Sequence, residues 1–319
     1  MEKVFLSIVT PVYGAPKIIP VLYQRLVEEL TPWADFEIIM VNDACPKGSG
    51  EEVKKLADKD ERVKFVNLSR NFGQHAAISA GLDYANGDYV VVMDCDLQDP
   101  PEEIRKLYDT LVEGGHKAVF GVRKKRQDSL IKRARSKVFG IIYNYLSDDA
   151  LKDVNGEVSN FSIVTRQVAL AFRAFHEKRR SYSGIIMKIV PHVHLTDVKH
   201  STRYEGKSSY SLTKLLDLAI GILIFNSSKP LFFSFYCGLG FFLLALILAA
   251  RSVYHYFLFG PAVIGWTSIM VVICFFSGLQ MLFLGIIGSY LNNIFTETKR
   301  RPLYVVDSTQ NVDYVPRVD

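Results

Sequence analysis

The sequence has no Cys-x-x-Cys pair. Its four cysteines are Cys45, Cys95, Cys237 and Cys274, and the last two lie in an apolar C-terminal region. Such spacing excludes a disulfide framework and a zinc site, and it fits a reducing compartment. No Gly-x-Gly-x-x-Gly turn follows a hydrophobic run, which leaves a nicotinamide-type dinucleotide site without support. The opening stretch, Met1 to Pro11, holds too short an apolar run for a signal peptide and reads as a first strand. A net charge of +5 on 319 residues is a small excess and does not point to nucleic acid. Charge is nearly missing from residues 231 to 291, which argues against a purely cytosolic protein.

What is present is a large apolar content. Hydrophobic residues make up 49% and aromatics 12%, enough for a packed core and too much for wholesale disorder. The mean hydropathy of +0.13 is high for a chain with 22% charged residues. The excess is concentrated in two runs. Leu231 to Ala250 is uncharged and, as a helix, spans roughly 30 Å, the hydrocarbon thickness of a bilayer. A second uncharged run extends from Ala262 to Leu291. Lys229 precedes the first run, and Lys299, Arg300 and Arg301 follow the second, while Arg251 and His255 lie between them. The positive-inside rule therefore predicts an inner-membrane, multi-pass protein with its large domain cytoplasmic. The division expected is a domain over 1–210, a juxtamembrane amphipathic helix over 211–228, two transmembrane helices over 229–295 and a cytoplasmic tail over 296–319. The apolar positions of Leu212 to Phe225 suit a helix on the membrane surface and an ordinary packed helix equally.

Before residue 210, short apolar runs alternate with helical patterns. Strands are predicted over Phe5–Thr10, Phe36–Val41, Val63–Leu68, Tyr89–Met93 and Ala118–Val122. Helices are predicted over Ile18–Leu30, Glu51–Lys59, His75–Tyr84 and Pro101–Glu113. This cadence predicts an α/β fold with a parallel sheet covered on both faces. Ligands bind such sheets at the carboxyl ends of the strands. Three of those ends carry Thr10-Pro11, Asn42-Asp43 and Asp94-Cys95-Asp96. In the last of these, alternate residues can aim carboxylates and an amide oxygen at one hard cation, Mg²⁺ or Mn²⁺. A solvated acidic loop would look the same in isolation, and the preceding Val90-Val91-Val92-Met93 strand is what favours a site.

These motifs carry a resemblance. The run Asp94-Cys95-Asp96-Leu97-Gln98-Asp99-Pro100-Pro101-Glu102, with Pro11-Val12-Tyr13, Asn42-Asp43 and Arg70-Asn71-Phe72-Gly73-Gln74, resembles family-two glycosyltransferases. Those enzymes have the A-type, Rossmann-like nucleotide-sugar fold. With a two-helix transmembrane hairpin following it, the chain is similar to polyprenyl-phosphate glycosyltransferases of the bactoprenol glucosyltransferase and dolichol-phosphate mannose synthase type. The similarity runs from about residue 4 to 305.

The resemblance implies roles. Asp43 would bind the nucleotide base near Pro11 and Tyr13, with Arg70 also on the nucleotide sugar. Asp94 would sit by the ribose and metal, and Asp96 and Gln98 would hold the metal, with Asp96 catalytic. Arg123, Arg133 and Ser136 match phosphate-contacting positions in a stretch, 123 to 137, that holds eight Lys or Arg and one Asp. Attraction of that stretch to anionic lipid is the simpler alternative. Arg203 and Lys207 belong to Arg203-Tyr204-Glu205-Gly206-Lys207-Ser208-Ser209-Tyr210, which resembles a mobile family segment, with Ser209 in place of the usual lysine. The family carboxylate before a Phe-Arg-Leu run has two candidates here, Asp153 and Glu157, with Asn160 nearby and Ser162 replacing the arginine. Gly14-Ala15 and Ala44-Cys45-Pro46-Lys47 also depart from the family pattern.

The function implied is an inverting transfer of a sugar from a nucleotide-diphosphate sugar, UDP-sugar first, to polyprenyl (undecaprenyl) phosphate for cell-envelope glycan modification. Mg²⁺ or Mn²⁺ is the cofactor, membrane lipid and a homo-oligomer are the partners, and no nucleic acid is involved. The alternative is an inactive membrane scaffold that binds nucleotide sugar. A processive polysaccharide synthase needs more helices and a tryptophan motif that Trp33 and Trp266 do not form. A fragment lacking residues 230 to 319 is expected to keep nucleotide binding.

Overall fold

The computed structural model describes residues 3–123, 158–178, 180–199, 229–259 and 265–312. They divide into two compact units. One holds the sheet and the residues from Arg301 onward, and the other holds two long helices.

In the first unit the chain alternates β1 (Val4–Val12), α1 (Ile19–Leu30), β2 (Ala34–Asn42), α2 (Ser49–Ala57), β3 (Val63–Leu68), α3 (Gln74–Asp83) and β4 (Tyr89–Val92). A single 3₁₀ turn, Pro101–Glu103, leads into α4 (Ile104–Glu113) and β5 (Ala118–Arg123). Then come β6 (Val158–Thr165), α5 (Arg166–Arg173), α6 (Tyr182–Ile189) and β7 (His194–Val198). The long helices are α7 (Lys229–Phe259) and α8 (Trp266–Thr298), and the chain ends in β8 (Val306–Gln310). The predicted strands and helices before residue 123 all form, with ends displaced by a few residues.

The eight strands lie in the order β7-β5-β6-β4-β1-β2-β3-β8. Strands β3, β2, β1 and β4 are mutually parallel, as are β5 and β7. Strand β6 runs antiparallel between β4 and β5, and β8 runs antiparallel along β3. The sheet is therefore mixed, not parallel throughout as predicted. Hydrophobic alternation fixes which face a strand residue points to, but not the direction in which a strand is threaded.

Both faces are covered, as the βαβ pattern requires. Along β2, Ile38 and Met40 join one core with Leu22 and Leu26 of α1 and Leu107 of α4. Ile39 and Val41 join the other, with Ile78 of α3, Phe172 of α5 and Tyr182 of α6. At the amino end of the strands a buried polar knot closes the sheet. Ser7 donates to Glu37 at 2.6 Å and accepts the amides of Asn86 and Gly87.

The residues after α8, read from sequence as a plain tail, supply a strand to this sheet. Tyr304 is buried at 8% exposure, and β8 hydrogen-bonds along β3. A fragment ending before residue 230 would strip β3 of this partner, so the fragment experiment tests the edge as well as the donor site.

In the second unit, Phe241 of α7 packs edge-on against Phe275 and Phe276 of α8. Among the described residues one segment, Phe275–Thr298, is long and apolar enough to cross a membrane, and Leu231–Phe241 is a shorter apolar stretch. The segment 211–228, expected as an amphipathic helix, lies outside the described residues.

Two predictions follow from the packing of α3. A Cβ at Gly81 would lie 2.3 Å from Cγ1 of Val9, a stiff, fully buried side chain of β1. Gly81→Ala is expected to destabilise the fold by about 1–3 kcal/mol through overpacking, more than the helix propensity gained. An unchanged denaturant midpoint would contradict that close approach. Second, His75 Nδ1 accepts the amide of Tyr182 at 3.3 Å, and burial lowers its pKa below the ordinary histidine value. The folded state thus favours neutral His75 while the unfolded chain takes up a proton near pH ~6.5. This contribution is complete above that pH and is lost as pH falls below it. His75→Asn, which can still accept the amide, should flatten the decline in stability measured between pH 8 and pH 5.

Candidate active site

The carboxyl ends of β1, β2 and β4 and the amino end of α3 enclose a cavity of about 310 Å³. Strand β1 contributes Pro11 and Val12, Tyr13 follows directly after it, and Asp43 directly after β2. The loop into α3 contributes Asn71, Gly73 and Gln74, and the turn after β4 contributes Asp94, Cys95 and Asp96. The sheet brings these together because β1 is hydrogen-bonded to both β2 and β4 and their polar ends fall at one level. Tyr13 presents its ring at the mouth, 52% exposed, where a flat heterocycle could stack on it.

Asp43 is 3% exposed, and its carboxylate is engaged by the protein itself. Oδ1 accepts the amide of Phe72 at 2.7 Å and Oδ2 that of Gly73 at 2.8 Å. Both amides can face one carboxylate because Gly73 sits at φ +94°, a region other residues avoid. Asp43 therefore fixes the loop ahead of α3, a role not assigned to it from sequence. The same loop carries Arg70, whose guanidinium lies 4.2 Å over the Phe72 ring, exposed and away from the cavity lining.

The loop delivers Gln74, which donates from Nε2 to Asp94 Oδ1 at 2.7 Å. Asp96 Oδ1 accepts the backbone amide of Gln98 at 3.1 Å, and Leu97 turns the chain at φ +58°. The two carboxylates of the acidic turn are thus both held, one by a side-chain amide and one by its own turn. Gln98 is outside the cavity lining. Cys95, between the aspartates, is buried, and burial pushes its thiol up to about 12, with both neighbouring aspartates adding to the shift. Asp94 and Asp96 are half-buried while Cys95 between them is buried, so the turn's more accessible donors are carboxylate oxygens. Carboxylate oxygens are the donors that hard cations such as Mg²⁺ or Mn²⁺ take. No group of three or more His, Cys, Asp or Glu that could hold a metal occurs among the described residues.

Across the cavity, Cys45 Sγ accepts the amides of Gly14 at 3.0 Å and Lys47 at 3.4 Å. Burial raises this thiol's pKa, but hydrogen bonds from Ser49, Lys47 and Gly14 outweigh it and leave the pKa lowered. These bonds tie the β1 turn to the β2 turn, the two places where the sequence departs from the family pattern.

Of the residues chosen from sequence, Pro11, Tyr13, Asp43, Asp94 and Asp96 meet at one cavity. Asp153, Glu157, Arg133, Ser136, Arg203 and Lys207 lie outside the described residues, as does the side chain of Arg123. Ser162, where the family arginine would stand, is fully buried and bonds Tyr182 at 2.9 Å. Gln74 and Asn71 were not singled out individually. Gln74's place directly after Gly73, ahead of the helix predicted from His75, was the available hint.

A mixed sheet whose parallel strands β1, β2 and β4 end around one cavity beside an Asp-x-Asp turn has the arrangement of a nucleotide-sugar glycosyltransferase. The chain belongs to glycosyl transferase family 2, which residues 7–173 match. It is 33% identical to an uncharacterized glycosyltransferase of Synechocystis sp., over 98% of this chain and 97% of the relative. It is 30% identical to a prophage bactoprenol glucosyl transferase homolog of Escherichia coli (strain K12), over 94% of this chain and 98% of that one. Identity to the bactoprenol glucosyl transferase of Shigella phage SfX is 30%, over 95% and 99%. Among solved structures, mannosyl-3-phosphoglycerate synthase from Rubrobacter xylanophilus shares the fold. Its TM-score is 0.51 at 12% identity, over 69% of this chain and 72% of that chain.

Because Asp43 satisfies two amides at once, Asp43→Ala should cost about 1.5–3 kcal/mol in a denaturation experiment. Asp43→Asn, which keeps one acceptor oxygen and turns a donor toward the other amide, should not restore stability. Wild-type stability in either variant would show that the two bonds carry nothing.

Proposed function

We propose that this protein transfers a sugar from a nucleoside diphosphate sugar, a UDP-sugar first, to polyprenyl phosphate at a membrane surface. The observation that carries the reading is the pair Asp94 and Asp96, held on one turn inside a cavity that Tyr13 roofs with an exposed ring. The base stacks at Tyr13, and the diphosphate lies toward the acidic turn. Asp94 and Asp96 would hold Mg²⁺ or Mn²⁺, which when bound would neutralise the diphosphate leaving group.

The acceptor phosphate has a second pKa of about 6, as phosphate monoesters do, so it needs little or no base at neutral pH. Its oxygen forms a bond to the anomeric carbon as the bond from that carbon to the diphosphate oxygen breaks. The product is a lipid-linked monosaccharide with inverted configuration, and the electron pair leaves with the nucleoside diphosphate. Lining up two anions demands positive charge, which the stretch from Arg123 through Arg133 and Ser136 and the Arg203 and Lys207 segment supply. Asp153 or Glu157 orients the sugar or the acceptor.

A polyprenyl chain stays in the bilayer, so the enzyme works beside it. Relatives named for bactoprenol support this acceptor. Helices α7 and α8 are read as two crossings, and an even number of crossings is consistent with β8 rejoining the sheet that β7 left.

The test is transfer of radiolabel from a nucleotide-sugar panel to polyprenyl phosphate, with mass spectrometry of the organic-extractable product. Asp96→Ala is expected to lower the rate at least about a hundredfold while leaving the fold intact, and EDTA should abolish transfer. An undiminished rate in that variant sinks the metal assignment. If neither Glu157→Gln nor Asp153→Asn slows the reaction, no carboxylate in that segment takes part.

A further inference from the structure

We propose that the C-terminal strap, residues 303–312, is a positioning element of the donor pocket, holding the loop before α3 through which Gln74 grips Asp94. The proposal rests on the donor reading given above for that cavity. Three contacts carry it, and each leads toward the pocket.

The first is main-chain. Ser69, the residue that opens the loop, donates its amide to Val305 at 2.9 Å. The second is a relay of amide side chains. Strand β8 pairs Val306 with Leu68 and Ser308 with Asn67, so Asp307 is the extra residue of a bulge. Bulges re-aim side chains, and here Asp307 Oδ2 accepts from Asn67 Nδ2 at 3.1 Å. Asn67 Oδ1 in turn accepts from Asn42 Nδ2 at 2.8 Å, and Asn42 Oδ1 accepts the Cys45 amide at 3.3 Å. The relay thus ends on both sides of Asp43, the residue that clamps Phe72 and Gly73. The third contact reaches the far end of α3. The buried Tyr304 hydroxyl donates to Asp83, and its ring joins the core that holds Ala77, Ile78 and Leu82.

The strap therefore fixes the loop at its first residue, the turn that clamps it, and the helix it leads into. A plain edge strand needs none of this, because main-chain pairing alone would cover β3. The opposite end of the strap provides an internal control. Gln310 donates to Asp58 at 2.7 Å, a contact of the same chemistry that leads away from the pocket.

The experiment compares the full-length protein with a Tyr304→Phe/Asp307→Ala double variant and with Gln310→Ala, all free of ligand. Amide exchange is followed in peptides spanning residues 69–74. The double variant should exchange there about tenfold faster, and Gln310→Ala should match the wild type. Tyr304→Phe alone, which keeps the buried ring, gives a smaller change and guards against a variant that fails to fold. Unchanged exchange in the double variant, or equal acceleration in Gln310→Ala, overturns the proposal. UDP binding and the KM for the nucleotide sugar are then measured. A higher Kd and KM with kcat little altered is expected in the double variant alone. If the wild type binds no nucleotide, the donor reading fails while the exchange result still decides whether the strap holds the loop.

Discussion

The carboxylate of Asp43 and the two amides it accepts are the interaction from which the site is built. Without it Phe72 and Gly73 would lose the acceptor that holds their turn, and Gln74 the backbone that aims it at Asp94. A buried carboxylate tolerates desolvation only when its oxygens are hydrogen-bonded, and here backbone donors meet that need. Each partner depends on the other: the amides need the charge, and the charge needs the amides. Gly73 makes the arrangement possible, since a Cβ-bearing residue would not hold that backbone angle cheaply.

The two ends of the sheet are used differently. At the amino end, Ser7, Glu37, Asn86 and Gly87 satisfy one another and seal the core. At the carboxyl end, polar residues are held from behind and turned toward the cavity: Asp94 by Gln74, Asp96 by its own turn, and the β1 and β2 turns by Cys45. Hydrogen bonding that completes a fold and hydrogen bonding that presents groups to a substrate are thus separated along the same strands. This is the division expected of an open α/β sheet, whose crevice lies beyond the strand ends.

Much of this was legible before any coordinates. Alternating apolar runs placed β1 to β5 and α1 to α4 within a few residues, the polar strand ends marked Pro11, Asp43, Asp94 and Asp96 as neighbours, and the family resemblance added Tyr13. Strand β6 was not legible, because Val158–Thr165 breaks its apolar residues with Ser159-Asn160 and Ser162, and nothing in a sequence fixes the direction in which a strand is threaded. Strand β8 was less so: Val-Asp-Ser-Thr-Gln is mostly exposed and carries no apolar periodicity, and it owes its place to main-chain bonds and to Asn67. The backbone partners of Asp43 were hidden for a related reason. A backbone amide has no signature in sequence, so these bonds are visible only in the structure, beside the base-binding role that the resemblance implies.

The last strand has a consequence for the order in which the molecule is made. A ribosome must translate both long helices before it reaches Tyr304, so the sheet edge beside β3 stays open while they are made. Edge strands left bare during synthesis invite wrong pairings. The nascent chain therefore completes its sheet last, and one stalled or clipped near residue 300 would carry both long helices yet leave β3 without its β8 partner.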